Sequence, residues 1–154
     1  MVYIHIDIYT FHYMLPQRLT LIRHGESEAN LIIERLKHGD QSGITPEFLE
    51  RSGHTWRLTS TGERQAQAAG AWIKKNNISF DLQYASQHVR AMQTAFLLDI
   101  PGAHWRIDIQ LRERDWGIMD FLKPEERGLN GPYSIYWSWM HRSPFYYGPA
   151  NGES

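Results

Sequence analysis

Short β-rich runs alternate with helix-period segments along this chain, and that alternation limits the fold more than any single residue does. Residues 18–23 (Arg-Leu-Thr-Leu-Ile-Arg) have the composition of a strand entering a glycine-containing turn. A helix is predicted over 27–37, ending near Gly39. A loop rich in Gly, Pro, Ser and Asp follows over 39–57, with a short helix expected around 46–50. The clearest helix is predicted over 58–75. Ser60 and Glu63 there have capping-box spacing, and Ala66, Ala69, Gly70 and Ile73 share one face small enough to approach a sheet. Lys74 and Lys75 suit the negative end of its dipole. A second strand is expected over 80–85, and a second long helix over 87–98 with Val89, Met92 and Phe96 on one face. After a break at Pro101-Gly102, a weak third strand is expected over 105–109. This order implies the α/β class with a mainly parallel sheet, in which ligands bind beyond the carboxyl ends of the strands. Arg23-His24 lies at one such end, and Ser86 follows another.

Composition narrows the functions open to such a fold. The chain has 154 residues, enough for one domain with a real core, and a formal net charge of −1. No broad basic field calls for nucleic acid or an anionic membrane surface, so small-molecule or protein partners are expected instead. Cysteine is absent, which excludes disulfides, thiolate catalysis and cysteine zinc sites. No apolar run is long enough to cross a bilayer. Residues 1–14 alternate Val2, Ile4, Ile6 and Ile8 with polar or aromatic neighbours and lack the layout of a signal peptide. They form either an extra strand or an extension outside the fold, and residues 1–17 are treated as an N-terminal extension ahead of a domain over 18–154. The expected location is cytoplasmic. Residues 133–147 are dense in aromatic rings, which fits a helix and loop packed on the core, or an aromatic substrate lid.

Three short stretches can carry chemistry. In Arg23-His24-Gly25-Glu26-Ser27, the arginine offers a planar fork of donors and the glycine permits close backbone approach. Ser27 and the helix N-terminus behind it could complete an anion site. An imidazole beside such a site can attack phosphorus, although a lone histidine after a strand is often structural. Arg90 opens the helix after the second strand, at the same sheet edge, where it is an anion ligand or a solvated helix arginine. In Leu111-Arg112-Glu113-Arg114-Asp115-Trp116, Glu113 is a candidate proton donor if burial against Trp116 raises its pKa. The alternative is a surface salt-bridge cluster.

Together and in this order these blocks resemble the histidine phosphatase superfamily, the phosphoglycerate-mutase-like group. Arg23-His24-Gly25-Glu26-Ser27-Glu28-Ala29-Asn30 is similar to its signature. The segment 58–66 is similar to its second block, Ser86 with Arg90-Ala91 and Thr94-Ala95 to its third, and Leu111-Arg112-Glu113 with Trp116-Gly117 to its fourth. The tail 145–154 resembles an element of some phosphatase-like branches. The resemblance implies a three-layer α/β/α fold and hydrolysis of a small phosphomonoester through phosphohistidine at His24. It implies Arg23 and Arg90 on the phosphoryl oxygens, Asn30 contacting phosphate or orienting the loop, and Glu113 as acid and then base. It implies no cofactor and no metal, positive side chains neutralising the developing charge. Mutase-type phosphotransfer, or phosphate binding by an impaired fragment, are the alternatives.

The family has a second histidine after a later strand. His38, His54 and His141 do not follow strand-like runs. Family members also continue past the position of Ser154, so a C-terminally truncated chain is expected, lacking that strand, its histidine and the helices that follow. Unpaired strand edges and association through them are then expected.

Overall fold

The computed structural model describes residues 3–7, 18–114 and 134–142. Strand β1 (Tyr3–Asp7) pairs antiparallel with β2 (Arg18–Ile22), Tyr3 opposite Ile22 and Asp7 opposite Arg18. From β2 the chain passes through residues 23–27 into helix α1 (Glu28–Lys37), then a short helix α2 (Pro46–Leu49) and a 3₁₀ turn at Gly53–Thr55. Helix α3 (Ser60–Lys75) leads to β3 (Gln83–Ser86), helix α4 (Val89–Leu97) and β4 (Trp105–Asp108), with a 3₁₀ turn at Ile109–Leu111. A last helix, α5, spans Ser134–Arg142. β3 and β4 are parallel, Gln83 opposite Trp105 and Ser86 opposite Asp108, and α4 makes the crossover that parallel neighbours require. The fold is α/β, and among the described residues the strands form two two-stranded sheets, β1–β2 and β3–β4.

Local chemistry explains most boundaries. Ser27 caps α1 in a capping box whose other half is Asn30: the Asn30 N–H donates to Ser27 Oγ, and the Ser27 N–H donates to Asn30 Oδ1. α1 ends where Gly39 takes φ +80°, a conformation open to glycine. The α3 cap falls one residue before the expected Ser60. Thr59 Oγ1 accepts from the Gly62 N–H at 3.1 Å and donates to Glu26 Oε1 at 2.5 Å. The contact with Glu26 favours threonine over its serine neighbour.

Apolar packing holds these elements. Ala29, Ile32, Phe48 and Trp56 join α1 to the following loop, with Phe48 and Trp56 stacked at 5.3 Å and 8°. Across from them, Gly62, Ala66, Gly70 and Ile73 form the buried face of α3. The small residues admit a backbone rather than a sheet: a Cβ on Gly70 would strike the Leu98 carbonyl at the end of α4. Ile73 and Leu98 are almost wholly buried, each contributing about 1.5–3 kcal/mol. The face expected for α4 is overturned. Met92 and Phe96 are exposed, Phe96 by 80%, while Arg90, Thr94 and Ala95 turn inward. The inward face is the one that meets residues 24 and 25, so polar partners outweigh apolar spacing here.

Among the described residues no ladder joins β2 to β3. An apolar cavity of about 620 Å³ separates them, lined by residues 20–22 of β2 and 83–86 of β3, with Ala95, Leu98 and Ile100 at its floor.

Candidate active site

At the carboxyl ends of β2 and β3 the cavity narrows to a second one of about 90 Å³, on the scale of one phosphate group. Arg23, His24, Asn30, Arg90 and Glu113 all line it, together with Ser27, Gly53, Trp56, His88 and Arg114. The structure therefore gathers every residue singled out for phosphate chemistry at one place.

The loop carrying His24 is fixed from three sides. The Gly25 N–H donates to Thr94 Oγ1 of α4 at 3.2 Å, and the Glu26 N–H donates to Gln65 Oε1 of α3 at 2.8 Å. Gly25 also lies against Gly62, where a Cβ on either residue would collide with backbone of the other segment. On this support the His24 ring is oriented by its own turn. Nδ1 lies 2.6 Å from the Gly25 carbonyl and Nε2 lies 3.1 Å from Arg90 Nε. A carbonyl accepts only and a guanidinium donates only, so the proton sits on Nδ1 and the lone pair on Nε2. Burial holds the His24 pKa below its ordinary value, and the charges of Arg90 and Arg23 lower it further. The Gly25 hydrogen bond and Glu113 act the other way. The ring is thus neutral, with its nucleophilic nitrogen facing the cations.

Arg90 is the hub. Its side chain is 8% exposed, donating from Nη1 to the Gly53 carbonyl at 2.8 Å and from Nη2 to Glu113 Oε2 at 3.0 Å. This disposes of the solvated-arginine alternative. Arg23 is exposed, lines both cavities, and among the described residues its guanidinium makes no hydrogen bond. Glu113 lies at the pocket, but its side chain is 65% exposed and ion-paired rather than buried. Trp116, against which burial was expected, lies outside the described residues, as do the tail 145–154 and most of the aromatic segment.

Two expectations change in detail. Ser27, 1% exposed, is spent on capping: its Oγ donates to Asn30 Oδ1, and the Glu28 N–H is taken by the Arg57 carbonyl. The α1 terminus is therefore largely self-satisfied rather than open to an anion. Asn30 acts on the loop through that capping box while also lining the pocket. His88 and Gly53 are passed over in the sequence reading, and Thr94 enters it only as part of the third block. His88 stands two residues before Arg90, just beyond a strand end, and that position was the available signal. The Gly53 carbonyl leaves no sequence signal.

An α/β fold with a histidine, two arginines and a glutamate converging beyond its strand ends defines a phosphoryl-handling class of site. The comparisons identify the family: the sequence model of the histidine phosphatase superfamily (branch 1) matches residues 19–154, and the chain belongs to that superfamily. Relatives include the 2,3-bisphosphoglycerate-dependent phosphoglycerate mutases of Azorhizobium caulinodans, 31% identical over 148 residues, and Brucella ovis, 32% identical over 149. Each match covers 91% of this chain and 62% of the relative, so the chain spans under two thirds of their length. Among solved structures, the alpha-ribazole phosphatase of Shigella flexneri matches with a TM-score of 0.57 and 28% identity. That match covers 86% of this chain and 57% of the other.

Proposed function

We propose that this chain is a phosphatase that hydrolyses a small phosphomonoester through a phosphohistidine at His24. The observation that carries the reading is the setting of the His24 ring: Nδ1 lies 2.6 Å from the Gly25 carbonyl, which leaves Nε2, 3.1 Å from Arg90 Nε, as the nitrogen with a lone pair in a small pocket lined by Arg23 and Arg90. In the proposed reaction the incoming phosphoryl group draws Arg23 and Arg90 onto its oxygens and takes the place of Arg90 at Nε2. Nε2 attacks phosphorus and the bond from phosphorus to the ester oxygen breaks; Glu113, freed from Arg90 as the phosphoryl group arrives and protonated from solvent, gives that oxygen its proton. Water then attacks the phosphohistidine, its proton passes to Glu113, the P–N bond breaks, and inorganic phosphate leaves. Preorganised positive charge at the transferred group is the main source of acceleration.

A second reading, phosphotransfer between hydroxyls of a phosphoglycerate, is favoured by the names of the similar sequences. Incubation with a generic phosphomonoester and with phosphoglycerates, wild type against His24→Ala, separates them. Hydrolysis of the former with acid-labile protein phosphate supports the phosphatase. Isomerised phosphoglycerate supports the mutase. Equal rates in wild type and His24→Ala would remove His24 as nucleophile.

A further inference from the structure

His88 is the buried histidine for which the proposed reaction has no use. It lies between β3 and α4, is 8% exposed, and lines both the 620 Å³ cavity and the phosphate-sized pocket. Its backbone is anchored on both sides. Its N–H donates to Ser86 Oγ at 3.3 Å, and its carbonyl accepts from the N–H groups of Ala91 and Met92. The residue occupies the capping position of α4, yet its side chain makes no capping bond. Among the described residues the ring makes no hydrogen bond, and its nitrogens are not enclosed by protein, which leaves them open to the pockets that the residue lines. The other histidines near the loop are committed elsewhere or face solvent. His38 lies beside Glu34 on the surface, and the exposed His54 bonds Ser52 through Nδ1.

We propose that His88 is a second imidazole of the anion pocket, donating a ring N–H to the phosphoryl oxygens held by Arg23 and Arg90 and taking up a proton from solvent as the anion arrives. The inference rests on the phosphate-handling reading of the site. Its electrostatics follow from the neighbours. In the empty pocket, burial, Arg90, His54 and Arg112 disfavour a charged His88 and Glu113 favours it, the net effect being a pKa below the ordinary value. Arg23, His24 and Arg114 face the same pocket. A dianion placed among these groups reverses the sign of the local field and favours the imidazolium, whose two N–H groups both donate. Anion affinity should therefore rise as pH falls.

Calorimetric titration with sulfate tests this, because the sulfate charge is constant between about pH 5 and 8 while that of His88 is not. Wild type is compared with His88→Gln, which keeps a donor but cannot titrate, His88→Leu, which has neither, and Arg90→Met as a pocket control. His88→Leu is expected to bind sulfate at least about tenfold more weakly, the scale of one hydrogen bond to a charged group. His88→Gln should keep part of the affinity and lose part of the wild-type pH slope. In wild type, sulfate should also shift the His88 ring resonances, a readout that does not depend on a variant folding. Sulfate binding that Arg90→Met weakens but His88→Leu leaves unchanged in strength and pH slope would overturn the role of His88 alone. No sulfate binding by wild type would overturn the phosphate site and this inference with it.

Discussion

Replacing Arg90 by methionine keeps a stem of similar length and deletes every donor at the centre of the pocket. The bonds lost to His24 Nε2 at 3.1 Å and the Gly53 carbonyl at 2.8 Å come from a charged donor, worth about 1.5–3 kcal/mol each. The ion pair with Glu113 ends on a carboxylate 65% exposed, so about 0–1 kcal/mol is at stake there. Against these losses stands relief from holding a guanidinium only 8% exposed, a desolvation cost of several kcal/mol. The net expectation is a destabilisation of about 2 kcal/mol, lowering Tm by about 4–8 °C. Phosphomonoester hydrolysis should fall about 10²–10³-fold, the usual cost of removing one donor to the transferred group. The more diagnostic readout is the His24 ring, followed by NMR as pH varies. Arg90 lowers the His24 pKa, so the variant should titrate closer to the ordinary histidine value. A ring that titrates at the wild-type position or lower would refute the proposed charge relation between Arg90 and His24, whatever happens to activity.

Four further outcomes are expected. Gly62→Ala should cost about 1–3 kcal/mol and impair His24 chemistry, because the new Cβ collides with the Glu26 carbonyl; wild-type thermal stability and turnover would contradict this. Asn30→Ala should lose about 1 kcal/mol of stability through the broken capping box, measured by urea unfolding. His24 and His88 bind protons less readily folded than unfolded, so the unfolded chain takes up more protons as pH falls below about 6.5, and stability should drop between pH 7.5 and 5.5. An equal or higher urea midpoint at pH 5.5 would contradict that sign. Edges of β2 and β3 that pair with no further strand among the described residues should promote self-association, seen as an apparent mass that rises with concentration in sedimentation; a constant monomer mass would dismiss it.

The parts of the site legible in the sequence are those written in local chemistry. A β-rich run, a glycine and a capping serine place His24 at a strand end, and Ser86 to Arg90 repeat that layout at the next strand. What escaped reading was decided by contacts between distant segments. Ser60 and Thr59 are both competent caps, and Glu26, distant in sequence, favours Thr59. Met92 and Phe96 have the spacing of a core face, yet α4 presents Arg90 and Thr94 inward because His24 and Gly25 take their hydrogen bonds there. Glu113 had two readings, an acid with its pKa raised by burial or a member of a surface ion-pair cluster, and its side chain is exposed and paired with Arg90. His88 escaped notice because no glycine follows it, and its place just beyond a strand end was its one signal.

The gap between β2 and β3 has a mechanical consequence. His24 lies beyond the end of β2 and Arg90 in the first turn of the helix that follows β3, and among the described residues no backbone ladder couples them. Their spacing is instead set by side-chain tethers such as Gly25 to Thr94 and Leu58 to Gln93. In the proposed reaction, whatever stiffens or wedges that seam sets the aperture at which His24 meets phosphorus, so alignment is governed from the seam as much as from the residues that touch the ligand.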